Sequence, residues 1–453
     1  MKISLLLGGS LALLACACGH SARTEKMRSA LDAGNMGAAV ASLNDELEVK
    51  SEKDLPKSMG NEALFVLDRG SIQQARAQFA LSKQDFEAAD KAIEVLDISR
   101  NAADSIGKYI FSDSSGRYLA PPYEKLMINT LNMMNYLESR DLSGALVEAR
   151  RLAVMQKYYR EHKQEGDSPI LALGGFLAGL AYEKSGNFDE ALRYYDDALA
   201  VSDLKVLDEP IARLFKRSGY RSPRLEAHAA RVTPATVPTA TIDAPAAPVA
   251  EPAEIIVVTG YGRVPHKIAN RMPIGLALTA FSGVIHPNDA ASANRLAGQG
   301  LVTWINYPSL APVPEPSETP VIRVDGQAVP VEDAVSVTGE VKREWHNIEG
   351  SVVASAITRL IARYAAGELT RAATGDRNGI GMLASLVVQG ALSASDVPDT
   401  RSWETLPARV GVVRIRVPAG KHTVQLGARG ITRSTTVQLA AGSWLFVSMQ
   451  ALR

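Results

Sequence analysis

From Thr24 to about Ser202 apolar residues return every three to four positions and Ala and Leu dominate. That is the period of buried helix faces, and it predicts a helical unit over residues 24–222. Past residue 253 the period changes. Glu254-Ile-Ile-Val-Val-Thr259 is a β-branched run stopped by Gly260, Leu301 to Tyr307 and Val321 to Val324 read as strands, and Asp325-Gly326 is a hairpin signal. A helix follows with Val353, Ile357, Leu360 and Tyr364 on one face, and Met382 to Leu392 predicts another. The end returns to strands over Val410–Val417, His422–Leu426, Thr435–Leu439 and Trp444–Met449, with turns at Pro418-Ala-Gly420 and Ala441-Gly442. Between the two regions, residues 223–253 carry prolines at 223, 234, 238, 245, 248 and 252, and such an Ala/Pro/Thr-rich stretch predicts a semi-extended tether. The expected fold is therefore multidomain. An all-α helical-repeat domain (24–222) and a linker (223–253) precede an α+β domain with an antiparallel sheet ending in β-hairpins (254–453).

Self-comparison of the helical unit brings out a repeat. Its clearest copy runs from Gly179 to Ala198 and resembles a tetratricopeptide repeat, with Gly179 and Tyr182 on a first helix, Gly186 in the turn, and Ala191, Tyr195 and Ala198 on a second. Small residues at 179 and 191 would let two helices approach, while Tyr182 and Tyr195 fill the groove. The copy departs from that family at Gly175 and Asp203, where Trp and Pro are usual. Weaker copies put Ala39, Ala89 and Ala145 at the small position, with Tyr136 matching Tyr182.

A larger resemblance rests on Leu67-Asp68-Arg69-Gly70, Tyr123-Glu124, Asn135-Tyr136-Leu137 and Val147-Glu148-Ala149-Arg150-Arg151, then on Asp399 to Pro407 and Val417 to His422. In this order they resemble an uncharacterised family of bacterial lipoproteins with tetratricopeptide-like N-terminal halves. That resemblance covers most of the mature chain and implies an envelope location rather than a chemistry.

The N-terminus changes the picture more than the composition does. Lys2 followed by the apolar run Ile3–Ala15 is too short to cross a hydrocarbon core and reads as a signal peptide over 1–15. It ends in Leu13-Leu14-Ala15-Cys16, which resembles a lipobox, so Cys16 is the expected lipidation site, with Cys18 as the second candidate and 16–23 a lipid-anchored tether. Acyl chains would hold the protein on a membrane. Lipoprotein sorting knowledge adds that Ala17, with no Asp after Cys16, is compatible with an outer-membrane anchor facing the periplasm or the cell surface.

The 453 residues carry 49 Lys+Arg against 49 Asp+Glu, a balance that argues against nucleic acid as the main partner. Both cysteines lie at the N-terminus, and the seven histidines are scattered without metal spacing, so neither a metal nor a cofactor is expected. Tyr261-Gly-Arg-Val-Pro lacks the following helix a phosphate loop needs. Glu254 to Gly260 looks like the segment that outer-membrane receptors offer to an energy-transducing partner, but a plain strand is the simpler reading. Arg401 and Trp403, with Asp399 or Glu404 as ion partner, form either a buried corner or a partner contact. Tyr118, Pro121, Tyr123 and Glu124 lie in a Pro-rich loop expected at the surface, and are candidate partner contacts. The sequence thus points to a non-enzymatic envelope lipoprotein that presents a concave helical-repeat surface to an unidentified envelope protein, with no small-molecule substrate evident. The alternatives are a structural outer-membrane component or a cell-wall enzyme.

Overall fold

The computed structural model describes residues 19–60, 62–98, 118, 120–162, 167–232, 251–298, 304–373 and 397–453. Cys16, Cys18 and the expected helix at 382–392 lie outside the described residues. Helices fill the N-terminal half: α1 (His20–Arg23), α2 (Glu25–Asp32), α3 (Met36–Glu46), α4 (Ala63–Ala75), α5 (Phe79–Ile98), α6 (Pro122–Glu138), α7 (Leu142–His162), α8 (Ile170–Lys184), α9 (Phe188–Val201), α10 (Asp208–Leu214) and α11 (Pro223–Ala230).

Eight of these pair as hairpins, α2–α3, α4–α5, α6–α7 and α8–α9, and all four close with the same turn. One residue enters the left-handed region, at Gly34, Ala77, Arg140 and Gly186. Its N–H donates to the carbonyl three residues back, and the next N–H donates to the carbonyl five back, as from Gly186 to Glu183 and from Asn187 to Tyr182. This satisfies carbonyls that a helix end otherwise leaves bare. Asn35 and Asn187 then cap the following helix with their side chains. Five residues past each turn stand Ala39, Ser82, Ala145 and Ala191, all wholly buried where the paired helices meet. In the last hairpin a Cβ on Gly179 would lie 2.4 Å from the Tyr195 ring, and one on Gly175 would lie 2.8 Å from the Tyr194 carbonyl oxygen. The second copy is framed differently from the sequence reading. Its turn lies at Ala77, without a glycine to mark it, so Ser82 takes the small position and Ala89 corresponds to Ala198.

The C-terminal half contributes β1 (Ala253–Tyr261), β2 (Lys267–Pro273), α12 (Ile274–Ala280), α13 (Pro287–Gly298), β3 (Trp304–Leu310), β4 (Val321–Val324), β5 (Gln327–Val329), β6 (Glu332–Ser336), α14 (Val337–Ala373), β7 (Arg409–Val417), β8 (Gly420–Ala428), β9 (Ile431–Leu439) and β10 (Trp444–Ala451). One sheet has the order β10-β1-β7-β6, a second β5-β4-β8-β9, and β2 pairs with β3 alone. Antiparallel pairs predominate, but β10 joins β1 in parallel, with Ile255 opposite Leu445. The Pro418 turn does not close a hairpin, because β7 and β8 belong to different sheets. Asp325 and Gly326, both at positive φ, close the β4–β5 hairpin.

The first sheet is covered on both faces, which is why β1 reads as an unbroken apolar run. Ile256, Val258, Val410, Val412 and Phe446 share a core with the helices, whereas Ile255, Val257, Val413 and Val447 pack on Ile322, Val424 and Leu426 of the second sheet. Three layers result: helices, mixed sheet, antiparallel sheet. A separate apolar cluster joins β2, β3, α12, α13 and α14.

This packing corrects the domain plan. One apolar cluster runs through both 24–222 and 254–453, while two further clusters lie wholly within the C-terminal half. The stretch expected to be linker from 223 begins instead as α11, with Leu225 and His228 buried, because Ser222 caps it and Pro223 suits a first helical turn. Ala253 is already in β1, and 233–250 lie outside the described residues. Helices α4, α6 and α8 are buried along nearly their whole length, between the outer helices and the C-terminal half. The inner face of the hairpins, expected to be open and concave, is filled by the chain itself. No helix among the described residues is long and apolar enough to cross a membrane.

Candidate functional site

The segment 399–408 leads into β7 and lies against the inner helices. Trp403 is its anchor and, among the described residues, the largest fully buried side chain. Its ring meets Phe86 of α5 edge to face at 5.7 Å, and its indole N–H donates to the Ser71 hydroxyl at 3.1 Å and to that of Thr405 at 3.2 Å. Aromatic contact and hydrogen bond together fix the ring in one orientation.

Two helix carboxyls hold the backbone of this segment, and a third carboxyl, in the segment itself, reaches back to the helices. The Trp403 N–H donates to Glu124 Oε1 at 2.9 Å, while the Tyr118 hydroxyl donates to Oε2 of the same carboxyl. Asp68 Oδ1 accepts from the N–H groups of Glu404 and Thr405, at 3.1 and 3.0 Å, and from the Thr405 hydroxyl at 2.8 Å. Glu404 in turn accepts from Thr24 at 3.0 Å and from Arg28 at 2.6 Å. Helices α2, α4 and α6 thus converge on three consecutive residues, Trp403, Glu404 and Thr405.

Burial sets the protonation of this group. It pushes Asp68 well above the usual carboxylate range, reinforced by the nearby Glu404 charge. Asp68 Oδ2, buried with no hydrogen-bond partner among the described residues, fits a carboxyl that keeps its proton. Burial also raises Glu124, against the Trp403 N–H, and lifts Glu404 to about 7 in spite of Arg28. Beside them, burial holds His20 neutral by lowering it to about 3, and its ring stacks on Phe65 at 4.8 Å. At Asp399 burial opposes ionisation, but two hydrogen bonds from Arg401, at 2.8 and 2.7 Å, outweigh it and hold the carboxyl low. The Arg401 guanidinium lies 5.6 Å from the centre of the Tyr118 ring.

A second ionic cluster ties α8 and α9 to the sheet. Arg414 of β7 reaches both Glu183 oxygens at 2.7 and 2.8 Å, Glu254 at 2.7 Å and the Tyr195 hydroxyl at 2.9 Å. Lys184 and Arg213 add their charges to Glu183 and Glu254. Surrounding cations keep Glu183 ionised against burial, which is the condition for a buried ion network to hold.

Tyr118, Pro121, Tyr123, Glu124, Arg401 and Trp403, assigned by sequence to two places, therefore fall in one. All six are buried. Where the sequence predicts a surface loop around Pro121, the described residues Tyr118, Pro121, Tyr123 and Glu124 are buried instead, with Tyr118 bonded to Glu124 and Glu124 to the Trp403 N–H. Sequence reasoning assigned no role to Asp68, Arg28, Glu183 or Arg414. A signal existed for Asp68, since Leu-Asp-Arg-Gly interrupts the apolar run Ala63-Leu-Phe-Val-Leu67 with two charges that need buried partners; Arg69 likewise pairs with Asp85 at 2.7 Å. Among the described residues no group of three or more His, Cys, Asp and Glu is arranged to hold a metal ion. No protein-family model matches the sequence, and no curated protein matches it.

Proposed function

We propose that the protein is an outer-membrane lipoprotein, acylated at Cys16, that serves as a non-catalytic scaffold for another envelope protein. The observation that carries this reading is where the buried charges go. Asp68, Glu124 and Glu404 hold backbone N–H groups or side chains of the opposite half, and Glu183 and Arg414 hold each other. The polar chemistry is spent on joining two halves of the chain into one rigid body. A tetratricopeptide-like origin for the hairpins is supported by the four shared turns and the small residue five positions after each. With the inner face filled, the partner surface moves to the outer helices, where Val147 and Val154 of α7 stand exposed.

Two measurements test this. Cys16→Ser abolishes acyl-label incorporation; label retained there but lost in Cys18→Ser moves the anchor. A photo-crosslinking residue at Val154, in cells, captures one stoichiometric partner if the scaffold reading holds. No product from α3, α5, α7 or α9, in an abundant protein, favours a structural component of the outer membrane instead.

A further inference from the structure

From Met272 to Ile285 no residue has an ionisable side chain, yet much of this stretch is exposed. It comprises the end of β2, helix α12 and the turn after it. Ile274 and Ala277 face the small apolar cluster, while Leu276 is 57% and Val284 53% exposed. Trp304 of β3, paired with Pro273 across the ladder, is 49% exposed, and Arg271 lies 5.8 Å from its ring. Three of the large apolar side chains that the described residues leave exposed thus belong to one β2–α12–β3 unit. An uncharged apolar ridge flanked by a Trp and an Arg has the composition of a surface that sits in a lipid headgroup layer, where an amphipathic ring and a cation are both at home.

The N-terminus supplies the reason to name lipid as the occupant. Gly19 packs beside Thr400, the Ser21 N–H donates to the Thr400 hydroxyl at 3.1 Å, and α1 packs on β2. The Lys267 N–H, at the start of β2, donates to Ser402 of the same segment at 3.3 Å. Cys16 stands three residues before Gly19, so an acylated Cys16 lies within about 10 Å of this docked end. The anchor is therefore not on a long leash. It holds the body against the bilayer at the root of the strand whose far end carries the uncharged ridge, about 20 Å on.

We infer that Leu276, Val284 and Trp304 form a second membrane contact, a lipid-facing ridge that fixes the orientation of the anchored protein. The inference rests on the proposal that Cys16 is acylated. Its test uses the full mature protein reconstituted into vesicles of phosphatidylethanolamine and phosphatidylglycerol, some of them brominated in the acyl chains near the glycerol. The part of the emission that Trp304→Phe removes is quenched by the brominated lipid and shielded from aqueous iodide, and Leu276→Asp with Val284→Asp reverses both effects while leaving the circular dichroism unchanged. Trp304 emission open to iodide and untouched by brominated lipid overturns the inference. So does a dimer that Leu276→Asp dissociates, which would assign the ridge to a second copy. Mass spectrometry of the same sample reads acylation separately. An unacylated protein with quenched Trp304 keeps the ridge and loses the anchor, whereas an acylated one with unquenched Trp304 loses the ridge alone.

Discussion

Trp403 offers the sharpest test of the shared core. Truncation to Ala removes the whole indole from a site where it is 1% exposed and packed on Phe86, a change that costs about 3 to 5 kcal/mol in well-packed cores. Replacement by Phe keeps most of the ring but deletes the N–H that reaches Ser71 and Thr405, and costs about 1 to 3 kcal/mol. The order Ala worse than Phe is expected from the packing loss whether or not the halves share a core. The distribution of the loss is what discriminates. Because Trp403 touches α4 and α5 while its neighbours lead into β7, both variants lower protection from hydrogen exchange in α4, in α8 and in β1 together. Exchange measured by mass spectrometry, peptide by peptide and alongside urea unfolding, reads these regions separately. If Trp403→Ala speeds exchange in β1 and leaves α4 and α8 at their original protection, the halves fold independently and the single-core argument fails.

Three further outcomes follow from the packing. Glu404, raised from 4.5 to about 7, contributes stability that is fully present below pH 4.5 and lost as pH rises through about 7, on the order of 3 kcal/mol; Asp68 and Glu124 shift in the same direction and His20 in the opposite one. Glu404→Gln should flatten the fall in melting temperature between pH 5 and about 8, and an unchanged slope would remove Glu404 from the account. Ala191→Leu overpacks the α8–α9 contact and destabilises by about 1 to 3 kcal/mol, while Arg193→Ala, on the exposed face and stacked on Tyr220, changes stability by less than about 0.5 kcal/mol; equal losses in thermal unfolding would make the small position a coincidence. Proteolysis within 233–250 yields two fragments that co-elute on a sizing column, and their separation as folded pieces would contradict the continuous core.

Local signals in the sequence carried the elements well. Gly186 marked a turn, Gly179 and Ala191 marked a close approach, and the β-branched run of β1 marked a strand. Each effect acts within a few residues, through backbone conformation or side-chain size. The site was legible only in pieces. Glu124 binds Trp403 across 279 positions and Asp68 binds Thr405 across 337, and no periodicity carries information over such separations. The Pro-rich loop was read as surface because unpaired backbone groups normally need water, but the side chains of Tyr118, Pro121 and Tyr123 are buried, Tyr118 on Glu124. The second hairpin was misframed because Ala77 adopts a left-handed conformation without being a glycine.

The parallel pairing of β10 with β1 has a consequence for how the chain matures. Gln450 of β10 reaches Gln74 of α4 at 3.1 Å, over a sequence separation of 376, and Ser448 is held by Glu138 of α6. The innermost helices thus remain without their cover until residues 403 to 451 have been delivered, and most of the chain must wait for its final strand. Such topologies close late and slowly. On the proposal that residues 1–15 direct export, that delay would keep the chain threadable during transit and place commitment to the native state on the far side. Loss of even β10 would then leave the innermost helices without their cover.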